Sequence, residues 1–170
     1  MANIAYKDEN FTGDPNAHQT SKFSESMTGS CLCGSINVTI NDSELFSKPR
    51  GHLCHCANCR KNSGSYVASN MAIEREKVTY EDKNSTMKIY EDWATGSGKC
   101  VKRLFCGNCG SPIMSQADVF PHMYVLKMGI FPRIPKPECE SFAAHRHEWQ
   151  GKHEGLEQYT LVRGQKKLGD

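Results

Sequence analysis

Cys54-His55-Cys56-Ala57-Asn58-Cys59 places three thiols within one short stretch of chain. Thiols this dense, in a sequence that opens without an export signal, read as a metal site rather than a disulfide framework. Three sulfurs are one short of the four that close a structural zinc site. An open fourth position is what separates a working zinc from a structural one. Read as a purely structural element, the triplet is instead a second structural zinc or a redox cluster. The remaining cysteines decide how the chain is arranged around it.

Cys31 and Cys33 form a C-x-C pair, and Cys106 and Cys109 a C-x-x-C pair in Cys106-Gly107-Asn108-Cys109-Gly110. The second is a zinc knuckle by pattern, its glycines allowing a tight turn of positive φ. Ser35 to Ile40 alternates polar and apolar residues and is rich in β-branched side chains, which predicts a half-buried strand. On an extended backbone Cys31 and Cys33 would share a face. One C-x-C and one C-x-x-C make a closed four-sulfur site that would close a loop of roughly 75 residues and contribute folding free energy directly. The triplet is then a second, open site. Spacing also admits the rival pairing, in which the triplet borrows a cysteine to complete a set of four. Cys100 and Cys139 stand alone and read as small buried hydrophobes.

Three thiolates on a zinc dication sum to a net charge of −1. That weakens the metal as a Lewis acid, so activating water is not its obvious task. A further thiolate is a fitting fourth ligand, held in its nucleophilic form. The same charge predicts a labile metal. His55, between two ligands, is either a proton relay or replacement ligand, or a side chain pointing away from a turn. His145, His147 and Glu148 could transfer protons or bind metal, although a structural role is the simpler reading. Arg60 and Lys61 would either draw an anionic substrate or form a solvated face. Trp93 and Trp149 are expected to pack.

Working outward, the segment after the triplet is long enough for one or two helical turns, ended by Gly64. Strands are predicted at Tyr66 to Ile73, Lys77 to Tyr80, Thr86 to Tyr90, Lys99 to Phe105, Pro112 to Ala117, Met123 to Met128 and Cys139 to Ala144. Loops fall at 41–51 and 95–98, and the proline-rich 131–137 is irregular. The fold should be mainly β, with little helix. The 170 residues suffice for one domain with a real core. We expect a polar, disordered N-terminal tail at 1–26, a zinc-binding domain at 27–160 and a C-terminal tail at 161–170.

The formal net charge of +2, from 21 basic and 19 acidic residues, offers no general attraction to nucleic acid or membrane. Hydrophobic residues make up 38% of the chain, and mean hydropathy is −0.60. No apolar run approaches the roughly 20 residues that span a bilayer. Residues 1–10 lack the basic start and apolar run of a signal peptide, so a cytoplasmic location is expected.

Gly29-Ser30-Cys31-Leu32-Cys33-Gly34, the run Cys54 to Gly64, and Phe105-Cys106-Gly107-Asn108-Cys109-Gly110-Ser111-Pro112 stand in an order and spacing that resembles the glutathione-dependent formaldehyde-activating enzymes. That family also includes the centromere protein V group. The resemblance runs from about Met27 to Tyr159, more loosely in its later part. It implies a single-domain β-tent built of small antiparallel sheets around zinc. It implies two zincs per chain: a structural one on Cys31, Cys33, Cys106 and Cys109, and a catalytic one on Cys54, Cys56 and Cys59. The reaction it implies joins glutathione and formaldehyde into S-hydroxymethylglutathione, within the carbon–sulfur lyase class. The expected partners are therefore a thiol such as glutathione and a small aldehyde. Two rival functions stand beside it: a non-enzymatic, zinc-stapled β module that binds a protein partner, and a redox enzyme of the methionine sulfoxide type, which would need a free cysteine of low pKa near the cleft.

Overall fold

Strand formation follows the apolar alternation. Ile36, Val38 and Ile40 are fully buried while Asn37 and Thr39 between them are not, so β2 (Ile36–Asn41) covers the core with one face. It is paired antiparallel on one side by β1 (Ser26–Ser30) and on the other by β5 (Val78–Asp82). These three strands form the smaller sheet of a computed structural model that describes residues 14–170.

The larger sheet has eight strands. In chain order its members are β3 (His52–Cys54), β4 (Ala68–Glu74), β6 (Met87–Asp92), β7 (Val101–Cys106), β8 (Pro112–Ala117), β9 (Met123–Lys127), β10 (Cys139–Ser141) and β11 (Glu157–Gln158). Their spatial order is β11-β10-β3-β4-β9-β8-β7-β6. From β3 to β6 every pairing is antiparallel. β10 alone lies parallel to both its neighbours, β3 and β11. The single α-helix among the described residues, α1 (Ala57–Ser63), begins inside the thiol triplet and ends on Gly64 in the left-handed region at φ 63°. The fold is thus mainly β with little helix, as the sequence predicts.

The core lies between the two sheets as one apolar cluster. Met27, Ile36, Val38, Ile40 and Val78 come from the smaller sheet, and Met71, Ile73, Leu104, Ile113, Met114 and Leu126 from the larger. β1 approaches the turn after β9 so closely that a Cβ on Gly29 would meet the Ile130 carbonyl oxygen at 2.6 Å and Phe131 at 2.7 Å. Glycine is required there by space alone.

Strand register also sorts the opposite face of the larger sheet. Met71 pairs with Leu126, and both point to the core. His52, Asn70 and Lys127, one residue out of phase, form a row across β3, β4 and β9 on the other face. Cys54, two residues from His52, joins them. This second face carries the triplet.

Several local expectations need adjustment. Cys31 and Cys33 sit in the turn between β1 and β2 rather than on an extended strand. The Gly34 amide donates to the Cys31 carbonyl at 2.9 Å, and Gly34 has φ 73°. Trp93 and Trp149 are 63% and 71% exposed and do not pack in the core. Of the segment expected as a tail at 1–26, residues 1–13 lie outside the described residues. Residues 14–25 make two 3-10 turns. Phe23 there lies 5.8 Å from the Phe46 ring, and Arg133 donates to the carbonyls of Pro15 and His18 at 3.0 and 2.5 Å. Apolar Phe23 and the buried His18 supply the contact that the polar composition conceals. In the segment 161–170, Arg163 forks onto Glu138 at 2.6 and 2.9 Å, and Lys167 pairs with Glu157 at 2.7 Å.

Candidate metal centres

Two elements of the sequence distant from each other build the first cluster. The β1–β2 turn supplies Cys31 and Cys33, and the knuckle after β7 supplies Cys106 and Cys109. Their four sulfurs all lie within 4.8 Å of one another. Cys31 Sγ is 3.5 Å from Cys33 Sγ, which is 3.6 Å from Cys106 Sγ. Sulfurs at the corners of a tetrahedron with Zn–S bonds of about 2.3 Å would stand ~3.8 Å apart. The cluster therefore needs little adjustment to hold a zinc-sized ion.

Local donors already face these sulfurs. The Ile36 amide donates to Cys31 Sγ at 3.3 Å, and the hydroxyls of Ser35 and Ser111 lie 3.3 Å from Cys33 and Cys109. Hydrogen bonds from Ser35 and Asn108 hold Cys33 down at about 5, whereas burial pushes Cys31 up to about 11. Ser111 also accepts the Leu32 amide at 3.1 Å, tying the knuckle to the turn directly.

The triplet forms the second cluster. Its three sulfurs lie within 4.8 Å of one another, and no fourth His, Cys, Asp or Glu joins them among the described residues. Cys54 ends β3, Cys56 is the N-cap of α1, and Cys59 lies in its first turn. The Cys59 amide donates to Cys56 Sγ at 3.4 Å, so a sulfur does the capping work usually done by oxygen. Hydrogen bonds from Cys54 and Cys56 hold Cys59 well below the ordinary thiol range. Hydrogen bonds with Cys56 and Cys59, together with burial, push Cys54 far above it. In both clusters some sulfurs ionise readily while others keep their protons. A cation that engages all of them must displace those protons.

The framework around the triplet is polar and tightly tied. Asn58 donates to Asp92 at 3.0 Å and to the Ala94 carbonyl at 2.8 Å, pinning α1 to the far edge of the sheet. Arg103 closes on the same Asp92 carboxylate at 2.8 and 2.5 Å. Asn70 donates toward Cys59 Sγ at 4.0 Å and accepts from Lys127 Nζ at 2.8 Å. Arg60 Nε and Asn62 Oδ1 on α1 are buried without a partner.

His55 turns away from the sulfurs. It is fully buried, with Nε2 3.1 Å from Glu140 Oε1. Its amide donates to the Ser141 carbonyl at 3.1 Å, which fastens the triplet to β10. Glu140 also takes His153 Nδ1 at 2.6 Å and Arg146 at 2.7 Å. Burial alone would raise the Glu140 pKa. The bonds from His153 and His55 and the charge of Arg146 outweigh it and hold the carboxyl below its ordinary value. Of the other candidate proton carriers, His147 reaches Arg60 NH1 at 2.8 Å and stacks on Trp149 with centroids 5.6 Å apart. His145 instead rests on Phe142, 5.4 Å away. Lys61 is exposed, and Cys100 and Cys139 are buried away from both clusters.

Lys127, Asn70, Glu140 and the Asp92–Arg103 pair are not singled out by the sequence. Only strand register brings them to the triplet. A cavity of about 640 Å³ borders the site without opening on the sulfurs. Ala68, Ser69 and Lys127 line it, together with Gly29, Ser111 and Phe131.

A mainly β scaffold holding one four-thiol and one three-thiol cluster defines a small cysteine-rich protein with two clusters that could hold a metal ion. The chain belongs to the glutathione-dependent formaldehyde-activating enzyme family, whose model matches residues 26–149. A crystal structure of a Rhodobacter sphaeroides protein is similar to it at 20% identity, over 61% of this chain and 86% of that one, with a TM-score of 0.46. No curated protein matches the chain. Among the described residues no helix is long and apolar enough to cross a membrane.

Proposed function

We propose that the protein is a zinc-dependent carbon–sulfur lyase that joins a thiol, glutathione or a close relative, to formaldehyde or another small aldehyde. The observation that carries this reading is the three-sulfur cluster with no fourth protein ligand among the described residues. Cys31, Cys33, Cys106 and Cys109 would hold a structural zinc. Cys54, Cys56 and Cys59 would hold the catalytic one. Zinc bound there supplies a place for the substrate sulfur as its thiolate.

The chemistry balances without a further reactant. The thiol proton leaves, the sulfur adds to the carbonyl carbon to form the C–S bond, and the carbonyl oxygen takes up a proton; the reverse reaction breaks that bond. The chain's own part is to position. α1 and β3 fix the three sulfurs, Asn58 and His55 anchor the two ends of that segment, and Arg60 with Asn62 leaves polar atoms free beside it. Nine cysteines, all free, suit a reducing cytoplasmic setting.

Thiols add to formaldehyde unaided, so catalysis has to exceed that background. Exchange NMR of glutathione with formaldehyde should show faster exchange with the zinc-loaded protein than without it. Equal rates would remove formaldehyde from the proposal.

A further inference from the structure

Lys127 poses an electrostatic problem. It is 6% exposed, lies on β9 in the row facing the triplet, and makes no ion pair with any carboxylate among the described residues. Among the described residues its ammonium has one hydrogen-bond partner, the neutral side chain of Asn70, at 2.8 Å. A buried ammonium without a counter-charge is strongly disfavoured. The other nearby cation, Arg103, is neutralised by Asp92 at 2.5 Å. The remaining source of negative charge is the sulfur cluster, which Asn70 reaches with its other end at Cys59 Sγ, 4.0 Å away.

We propose that Lys127, acting through Asn70, is the internal counter-ion of the metal-loaded triplet and sets its preference for an anionic fourth ligand. Three thiolates and a dication carry −1, and Lys127 brings the buried site to zero. An entering thiolate then makes the site −1, where without the lysine it would reach −2 in a medium that screens poorly. A neutral fourth ligand gains nothing from the lysine. Lys127 is a positioning and selectivity residue that need not touch the substrate. Asn70 fixes its ammonium and passes a donor to Cys59. The inference rests on the open-site reading above.

The test uses the full chain loaded with cobalt, whose absorption spectrum reports exogenous ligands directly. The probes are 2-mercaptoethanol as the anionic thiolate and imidazole as the neutral ligand. Lys127→Met should weaken thiolate binding at least tenfold and change imidazole binding less than twofold. Asn70→Asp keeps Lys127 in place and cancels its charge locally, so it should give the same selective loss. Lys127→Arg should restore much of the thiolate affinity. Equal effects of Lys127→Met and Asn70→Asp on both ligands, or on neither, would overturn the counter-ion role. A wild-type cobalt protein that takes neither ligand would overturn the open-site reading itself, a distinct result.

Discussion

At the scale of single residues, the buried Glu140 shows how the triplet is held without touching it. One carboxylate satisfies His55, His153 and Arg146 at once. Removing its charge leaves the half-buried Arg146 with only the neutral Gln158 Oε1 as partner, at 2.9 Å. Glu140→Gln should cost about 3 kcal/mol at neutral pH, measured by urea unfolding. The pH dependence follows from the sign of the shift. The folded carboxyl lies below its ordinary 4.5, so its contribution is present above that value and lost as the pH falls through the folded one. The wild type should therefore lose stability in acid, and Glu140→Gln should flatten that limb. Cys54→Ser, by contrast, should keep the fold, lose one of two metals and lose thiol binding, read by metal analysis and circular dichroism. Unfolding would make the triplet structural.

At the scale of elements, the two sheets depend on a close approach at β1 and on apolar strands that meet across the core. Gly29→Ala forces a Cβ to within 2.6 Å of backbone. It should destabilise by about 2 kcal/mol or more, since backbone cannot yield as a side chain can. Leu126→Ala, in the fully buried centre of β9, should cost about 3 kcal/mol. Thermal and urea unfolding read both. Much of this level was legible in the sequence: alternation exposes β2, Gly64 marks the end of α1, and the prolines of 131–137 break the chain where no strand forms. What was hidden depends on partners far along the chain. The two-residue β11 has no period to detect. The C-x-C pair looked extended because its turn is made by Gly34 at positive φ. Lys127 lies inside the strand expected at Met123 to Met128 with nothing in the sequence to single it out, and only the Asn70–Lys127 register turns it toward the cysteines.

At the scale of the whole molecule, the four-thiol cluster joins the smaller sheet's hairpin to the larger sheet's knuckle. Its sulfurs cross from one layer to the other beside a core shared by both. A metal there would close a long loop and couple the sheets. Cys106→Ser should accordingly fail to accumulate as soluble, folded protein, and a stable variant would contradict the assignment. The most direct measurement of the central claim, that one closed and one open metal site share this fold, is cadmium NMR of the fully loaded chain titrated with glutathione. Two resonances are predicted. One belongs to four thiolates and stays fixed. The other belongs to three thiolates and shifts toward the four-thiolate position as glutathione binds. A single resonance, or two that both ignore the thiol, would contradict the account.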